Sequence, residues 1–160
     1  HRPQAVACLG DSFHDRQAGQ RIHGEDVETI RALARGRDWI WIAGNHDPEP
    51  PAGLPGRLLP ELRLDGLTLR HEPVAGHAAG EVAGHLHPKA AVVVQGRRMA
   101  RRCFVSDGLR AVLPAFGAYA GGLDVLDRAF RPVFPHAFHA HLLGRGAVHA
   151  VPSRRLTPIA

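Results

Sequence analysis

Four short polar blocks carry chemistry-bearing side chains between Gly10 and His87: Gly10-Asp11, Gly44-Asn45-His46-Asp47, His71 and Gly84-His85-Leu86-His87. Carboxylate, side-chain amide and imidazole groups are donors for divalent cations, and imidazole also moves protons near neutral pH. Taken singly, each block is weak. The chain holds 12 histidines, so about one His-x-His pair is expected by chance. Two occur, at His85-Leu86-His87 and His139-Ala140-His141. Asp11 alone could accept backbone amides in a strand-to-loop turn, and Gly44-Asn45-His46-Asp47 could be an ordinary turn, because Gly, Asn and Asp favour loops. The order of the series is the stronger signal. His85 and His87 point to opposite faces of an extended chain, so they act together only if the backbone turns, as Gly84 and Pro88 allow.

The elements that must position these blocks follow from the apolar pattern. Ala5 to Leu9 reads as a buried strand ending at Gly10-Asp11. Gly24 to Arg35 reads as a helix, with Glu25, Asp26 and Glu28 in its first turn, Arg31 and Arg35 toward its end, and an apolar stripe of Val27, Ile30, Leu33 and Ala34. Trp39 to Ala43 is a second strand, ending at Gly44-Asn45. Strand, helix, strand predicts parallel neighbours, and ligands in such sheets gather beyond the carboxyl ends of the strands. Further along, Glu61–Leu64 and Leu67–Arg70 flank Asp65-Gly66, a hairpin signal. Short strands are expected at Glu81–Ala83, Ala90–Gln95, Arg102–Val105 and Leu109–Leu113, with Ser106-Asp107-Gly108 as a turn, and a last pair at Ala140–Leu143 and Ala147–Val151. Loops run from Pro48 to Gly56 and from Pro114 to Gly122. The fold class is therefore α/β (α+β), in one domain over 1–152, with 153–160 as a loose, flexible tail.

Composition bounds the rest. With 160 residues, 44% of them apolar and 22% charged, the chain suits one globular domain and excludes disordered, collagen-like and coiled-coil classes. No apolar run reaches the roughly 18 residues of a spanning helix, so no membrane role is expected. Cys8 and Cys103 cannot form a disulfide scaffold and read as inert core residues, which points to a reducing, cytoplasmic setting. No signal peptide opens the chain, and its start at His1, directly before a strand, suggests a missing beginning. Of 20 basic residues, 19 are Arg, a side chain suited to bidentate phosphate and carboxylate contacts.

The ordered series resembles the calcineurin-like metallophosphoesterase superfamily, whose signature runs D-x-H, G-D, G-N-H-D/E, H, G-H-x-H. Four of its five blocks stand here in order between Gly10 and His87. The surroundings Gly10-Asp11-Ser12-Phe13-His14-Asp15, Arg70-His71-Glu72-Pro73, Ala83 through Pro88 and Leu113-Pro114-Ala115-Phe116-Gly117 look like the ligase-associated DNA-damage-response endonuclease group (PdeM-like). The resemblance implies an αββα sandwich with mixed sheets, here lacking its first strand. It also implies phosphodiester hydrolysis by a metal-activated water at a two-metal site, in which two divalent ions clamp attacking and leaving oxygens. Asp11 takes the role of bridging carboxylate, Asn45, His71 and His85 complete one ion, and His87 belongs to the other. His46 assists the leaving oxygen, with Asp47 orienting its ring. The cofactor expected is two divalent ions, manganese first, with zinc or iron also suited. DNA is the expected substrate, with DNA ligase and helicase repair partners implied. The D-x-H block is absent: nine residues precede Gly10 and contain none. That departure implies a chain poor in catalysis by itself. Nucleotide or phosphoprotein hydrolysis, or a non-catalytic interaction module, are the alternatives.

Other residues have weaker claims. Arg97, Arg98, Arg101 and Arg102 form the densest basic cluster and could grip a phosphate backbone, or simply cover a solvated hairpin end. His14 and Asp15 could line the cleft. Phe116 and Tyr119 could stack on a base or pack on the sheet. His77, His136, His139 and His141 read as surface residues.

Overall fold

The apolar runs of the first half form strands because each has a partner ready to cover its backbone. A computed structural model of the chain describes residues 2–13, 17–47, 52–118 and 120–159. The described chain divides into two compact units, His1–His71 and Glu72–Ala160.

In the first unit, β1 (Ala5–Cys8), β2 (Asp38–Ile42) and β3 (Arg57–Leu59) form a parallel sheet in that order. Ala7 lies opposite Ile40, and Ile40 opposite Arg57. Ile40, Trp41 and Ile42 are all buried in succession, the mark of a central parallel strand covered on both faces. A short helix α1 (Ala18–Arg21) and the longer α2 (Gly24–Ala34) make the first crossover. Helix α2 inserts Val27, Ile30 and Ala34, whereas Leu33 is exposed. At 100° per residue Leu33 falls well off the line through the other three, so the expected stripe is narrower by one residue. Strand β3 escaped the sequence reading because three residues behind a Pro/Gly-rich loop show no period. The hairpin of β4 (Glu61–Leu64) and β5 (Leu67–Arg70) forms as expected, Glu61 opposite Arg70 and Leu64 opposite Leu67. Its turn residues Asp65 and Gly66 both have positive φ, 47° and 81°, as a tight primed turn requires.

The second unit is a mixed sheet. Its strands are β6 (Glu81–Ala83), β7 (Pro88–Val94), β8 (Arg97–Ser106), β9 (Ala111–Val112), β10 (Leu123–Asp124), β11 (His139–Leu143) and β12 (Val148–Pro152). Within the unit the order is β10-β7-β8-β9-β6, with β11 on β8 and β12 on β11. Strand β8 is far longer than the expected Arg102–Val105. Its basic half has no apolar alternation, and the register with β7, from Lys89 opposite Arg102 to Val94 opposite Arg97, holds it extended. Strand β9 is shorter than expected because Asp107 Oδ1 accepts from the Leu109 and Arg110 amides at 2.9 and 3.0 Å, diverting them from a ladder. Parity puts Cys103 and Val105 of β8 on one face, with Val112, Ala140 and Leu142 beside them. Val125, Phe130, Val133, Phe134 and Phe138, from the segment between β10 and β11, close this core.

A buried ion pair braces the same unit. Arg110 donates to Glu81 Oε2, to the carbonyls of Val74 and Gly76 at 2.7 Å each, and to that of Val133 at 3.1 Å. The tail expectation for 153–160 needs correction over its described part. Thr157 N donates to Ala91 O at 2.9 Å, Ile159 N donates to Asp124 Oδ2 at 2.8 Å, and Arg98 donates to Ile159 O at 2.9 Å. These residues finish the sheet face beside β7.

Candidate functional site

Strands β1 and β2 run parallel, so their carboxyl ends emerge side by side and deliver Gly10-Asp11 and Gly44-Asn45 to one place. Strand β5 delivers His71 to the same place. His71 Nδ1 lies 2.7 Å from the carbonyl of Leu9. A carbonyl only accepts, so Nδ1 donates here, which leaves Nε2 as the nitrogen that can offer a lone pair to a cation. That nitrogen faces Asn45 Oδ1 at 2.8 Å and Asp11 Oδ2 at 3.2 Å. The side chains of His71 and Asp11 are only 7% and 10% exposed. Three electron-pair donors converging in a half-dry corner is an arrangement that a divalent cation satisfies, and a His ring fixed through its other nitrogen by a carbonyl is the usual support of a ligating imidazole. The donor set fits a metal.

The backbone here is shaped for close approach. Asp11 itself has φ 49°, a left-handed conformation that costs roughly 1–2 kcal/mol outside glycine. Its Oδ1 accepts from the His46 amide at 3.0 Å, tying the two loops together. Gly10 has φ 82°, and a Cβ there would sit 2.5 Å from His71 Nδ1. A Cβ on Gly44 would collide with Asp11 and stand 2.6 Å from Asp47 Oδ1.

Asp47 is buried, and its Oδ2 accepts from the Phe13 amide at 2.6 Å. Burial pushes its carboxyl above the ordinary carboxylate range, and the nearby Asp11 charge adds to this. The carboxylate expected to orient the His46 ring also holds the 11–13 loop through the Phe13 amide, while Phe13 packs its ring 5.4 Å from that of Trp41. His46 is exposed at the rim. Sequence reasoning missed the Leu9 carbonyl and the Phe13 amide, main-chain groups that no residue type announces. It also gave Gly44 no role as a spacer, though the Gly-Asn-His order carried that signal.

In the second unit, the backbone condition set for His85 and His87 is met. Both have positive φ, 64° and 45°, and Leu86 N donates to Gly84 O at 2.7 Å. The segment is a tight turn, so the two rings are not bound to opposite faces of a strand. Two strained non-glycine residues in one turn point to a functional constraint. The arginine cluster, in contrast, is split. Alternation along β8 sends Arg97 and Arg101 to one face and Arg98 and Arg102 to the other. Arg98 is engaged by the carboxyl-terminal residues, and Arg102 donates to the carbonyls of Ala115, Ala118 and Ala120 at 3.1, 3.2 and 3.0 Å. His139 and His141 share a face of β11, with ring centroids 6.4 Å apart. Phe116 is fully exposed. His14, Asp15 and Tyr119 lie outside the described residues.

A parallel sheet and a mixed sheet with few helices define an α+β fold of the nuclease-like kind. The chain is similar to the crystal structure of nuclease MPE of Pseudomonas putida, with a TM-score of 0.71 and 31% sequence identity over 92% of this chain and 70% of that one. It belongs to the family of that nuclease. No protein-family model matches the chain, and no curated protein does. Among the described residues, no helix is long and apolar enough to cross a membrane.

Proposed function

We propose that this chain belongs to a metal-dependent phosphodiesterase of the calcineurin-like type that cleaves DNA. The observation that carries the reading is the convergence of Asp11 and Asn45 on His71 Nε2 in a chain of the nuclease family. Asp11, Asn45 and His71 would hold a divalent ion, and the metallophosphoesterase resemblance adds His85 and His87 to a pair of ions, manganese first. Bound divalent ions supply Lewis-acid activation of water and neutralise charge developing at phosphorus. The chain's own residues do the rest. His71 is held in its ligating tautomer by Leu9, and Asp11 is held by the His46 amide. His46, which is exposed, would protonate the departing oxygen, the role the resemblance gives it. Asp47 keeps the 11–13 loop against the sheet. A role in DNA repair, with DNA ligase and helicase partners, rests on the resemblance alone.

The test pairs binding with turnover. Manganese titration, read by loss of the free-ion electron-spin signal, should show tight uptake that Asp11→Ala and His71→Ala weaken by at least about tenfold, as loss of a ligand must when even supporting residues cost 10–100-fold. Hydrolysis of a DNA oligonucleotide and of an aryl phosphodiester should fall with it. His46→Ala should keep manganese affinity and lose about 10²–10⁴-fold in kcat. Cleavage that persists in a chelator, or survives Asp11→Ala, would overturn the reading.

A further inference from the structure

The loop 113–122 departs from the end of β9 and returns at β10 (Leu123–Asp124). Strand β9 lies parallel to β6, with Ala83 opposite Val112, so both strands deliver their following loops at the same edge. Two backbone bonds then fix the loop to the histidine turn. Leu113 N donates to Ala83 O at 2.8 Å, directly before Gly84, and Leu123 N donates to His87 O at 3.0 Å. The loop is therefore tied to the first and last residues of the segment that carries His85 and His87. Its interior is tied down as well, because the Arg102 guanidinium gathers the carbonyls of Ala115, Ala118 and Ala120. On this braced loop stands Phe116, with a relative exposure of 105%. An exposed phenylalanine forgoes the burial that elsewhere stabilises a fold by about 1.5–3 kcal/mol, and here it does so on a loop whose two ends are bonded to a turn of two strained histidines.

We propose that Phe116 is a stacking platform for an unpaired nucleobase of the substrate, next to the phosphate handled at the histidine turn; this rests on the nuclease reading above. A stacked aromatic accepts any base, since every base offers a π face. A base inside a duplex is already stacked on its neighbours, so the platform selects single-stranded segments or frayed ends. Arg102 is the positioning residue, holding the loop rather than touching the nucleic acid.

The experiment measures binding of a fluorescent single-stranded oligonucleotide to the full chain by anisotropy, beside turnover of an aryl phosphodiester that has no base. Phe116→Ala should weaken oligonucleotide binding about 5- to 150-fold, the range for loss of one base–aromatic stack, and leave turnover of the small diester unchanged. Phe116→Trp should bind as the parent does, whereas Phe116→Leu, apolar but unable to stack, should bind as poorly as Phe116→Ala. An oligonucleotide with an abasic site at the contacted position should bind the parent weakly and show no further loss with Phe116→Ala. Parent-like oligonucleotide binding by Phe116→Ala would overturn the inference while the nuclease reading stands. Full rescue by Phe116→Leu, or a loss indifferent to the abasic site, would also overturn it and assign the ring to an apolar protein contact. A parent chain that neither binds the oligonucleotide nor hydrolyses either substrate would remove the nuclease reading, and this one with it.

Discussion

Individual atoms decide the candidate centre. Gly44 leaves room for Asp11 and Asp47, and an added Cβ would meet Asp11 and approach Asp47 Oδ1 to 2.6 Å. Gly44→Ala is therefore expected to lower stability by about 1–3 kcal/mol, the usual cost of overpacking, and to weaken manganese uptake about tenfold or more through the displaced carboxylate. Gly24→Ala, where a Cβ meets nothing within 4 Å, should do neither. Denaturant unfolding and metal titration of the two variants check this. Cys103 is completely buried, and burial, with the Asp124 charge, pushes its thiol from 9.0 to about 12. A thiol-specific reagent at pH 8 should leave Cys103 unlabelled until the chain unfolds, because only the thiolate reacts. A folded-state pKa raised in this way contributes stability that is complete below about pH 9 and is lost as pH rises toward 12. Rapid labelling of native protein would contradict the assignment of Cys103 to the core.

At the scale of elements, the pair Glu81–Arg110 joins β6 to the turn before β9 and to the segment after Glu72. Its side chains are 3% and 2% exposed, and Arg110 also serves three backbone carbonyls. Arg110→Met leaves Glu81 buried without its cation, which should cost about 3–5 kcal/mol, whereas removing both charges with Arg110→Met and Glu81→Leu should recover much of that loss. A double-mutant cycle in urea measures the coupling. Strand β8 shows the same logic from the other side. Its four arginines, adjacent in sequence, do not act as one cluster, because alternation divides them between faces and Arg98 and Arg102 are occupied by carbonyls. Phosphate contact by all four together is not what this strand presents.

At the scale of the whole molecule, the carboxyl terminus is part of the second unit. Thr157 pairs with Ala91, and Ile159 is bound by Asp124. Deleting 156–160 should lower the melting temperature by several degrees, since about 1 kcal/mol corresponds to roughly 2–4 °C in a chain of this size. An unchanged melting temperature would show that these bonds contribute nothing net.

The sequence by itself determined the parallel pair β1 and β2, the β4–β5 hairpin and the order of polar blocks at strand ends, because these depend on periods and turn residues that neighbours in sequence carry. Asp11, Asn45 and His71 were legible as candidates for the same reason: their loops begin where apolar runs stop. The tautomer of His71, the engagement of Asp47 by Phe13, the division of the arginines and the anchoring of residues 156–159 were not legible. Each is set by a partner far along the chain, often a backbone amide or carbonyl, which every residue possesses and no sequence pattern marks. Only the folded backbone decides which of those groups is near, and so which side chains remain available for chemistry.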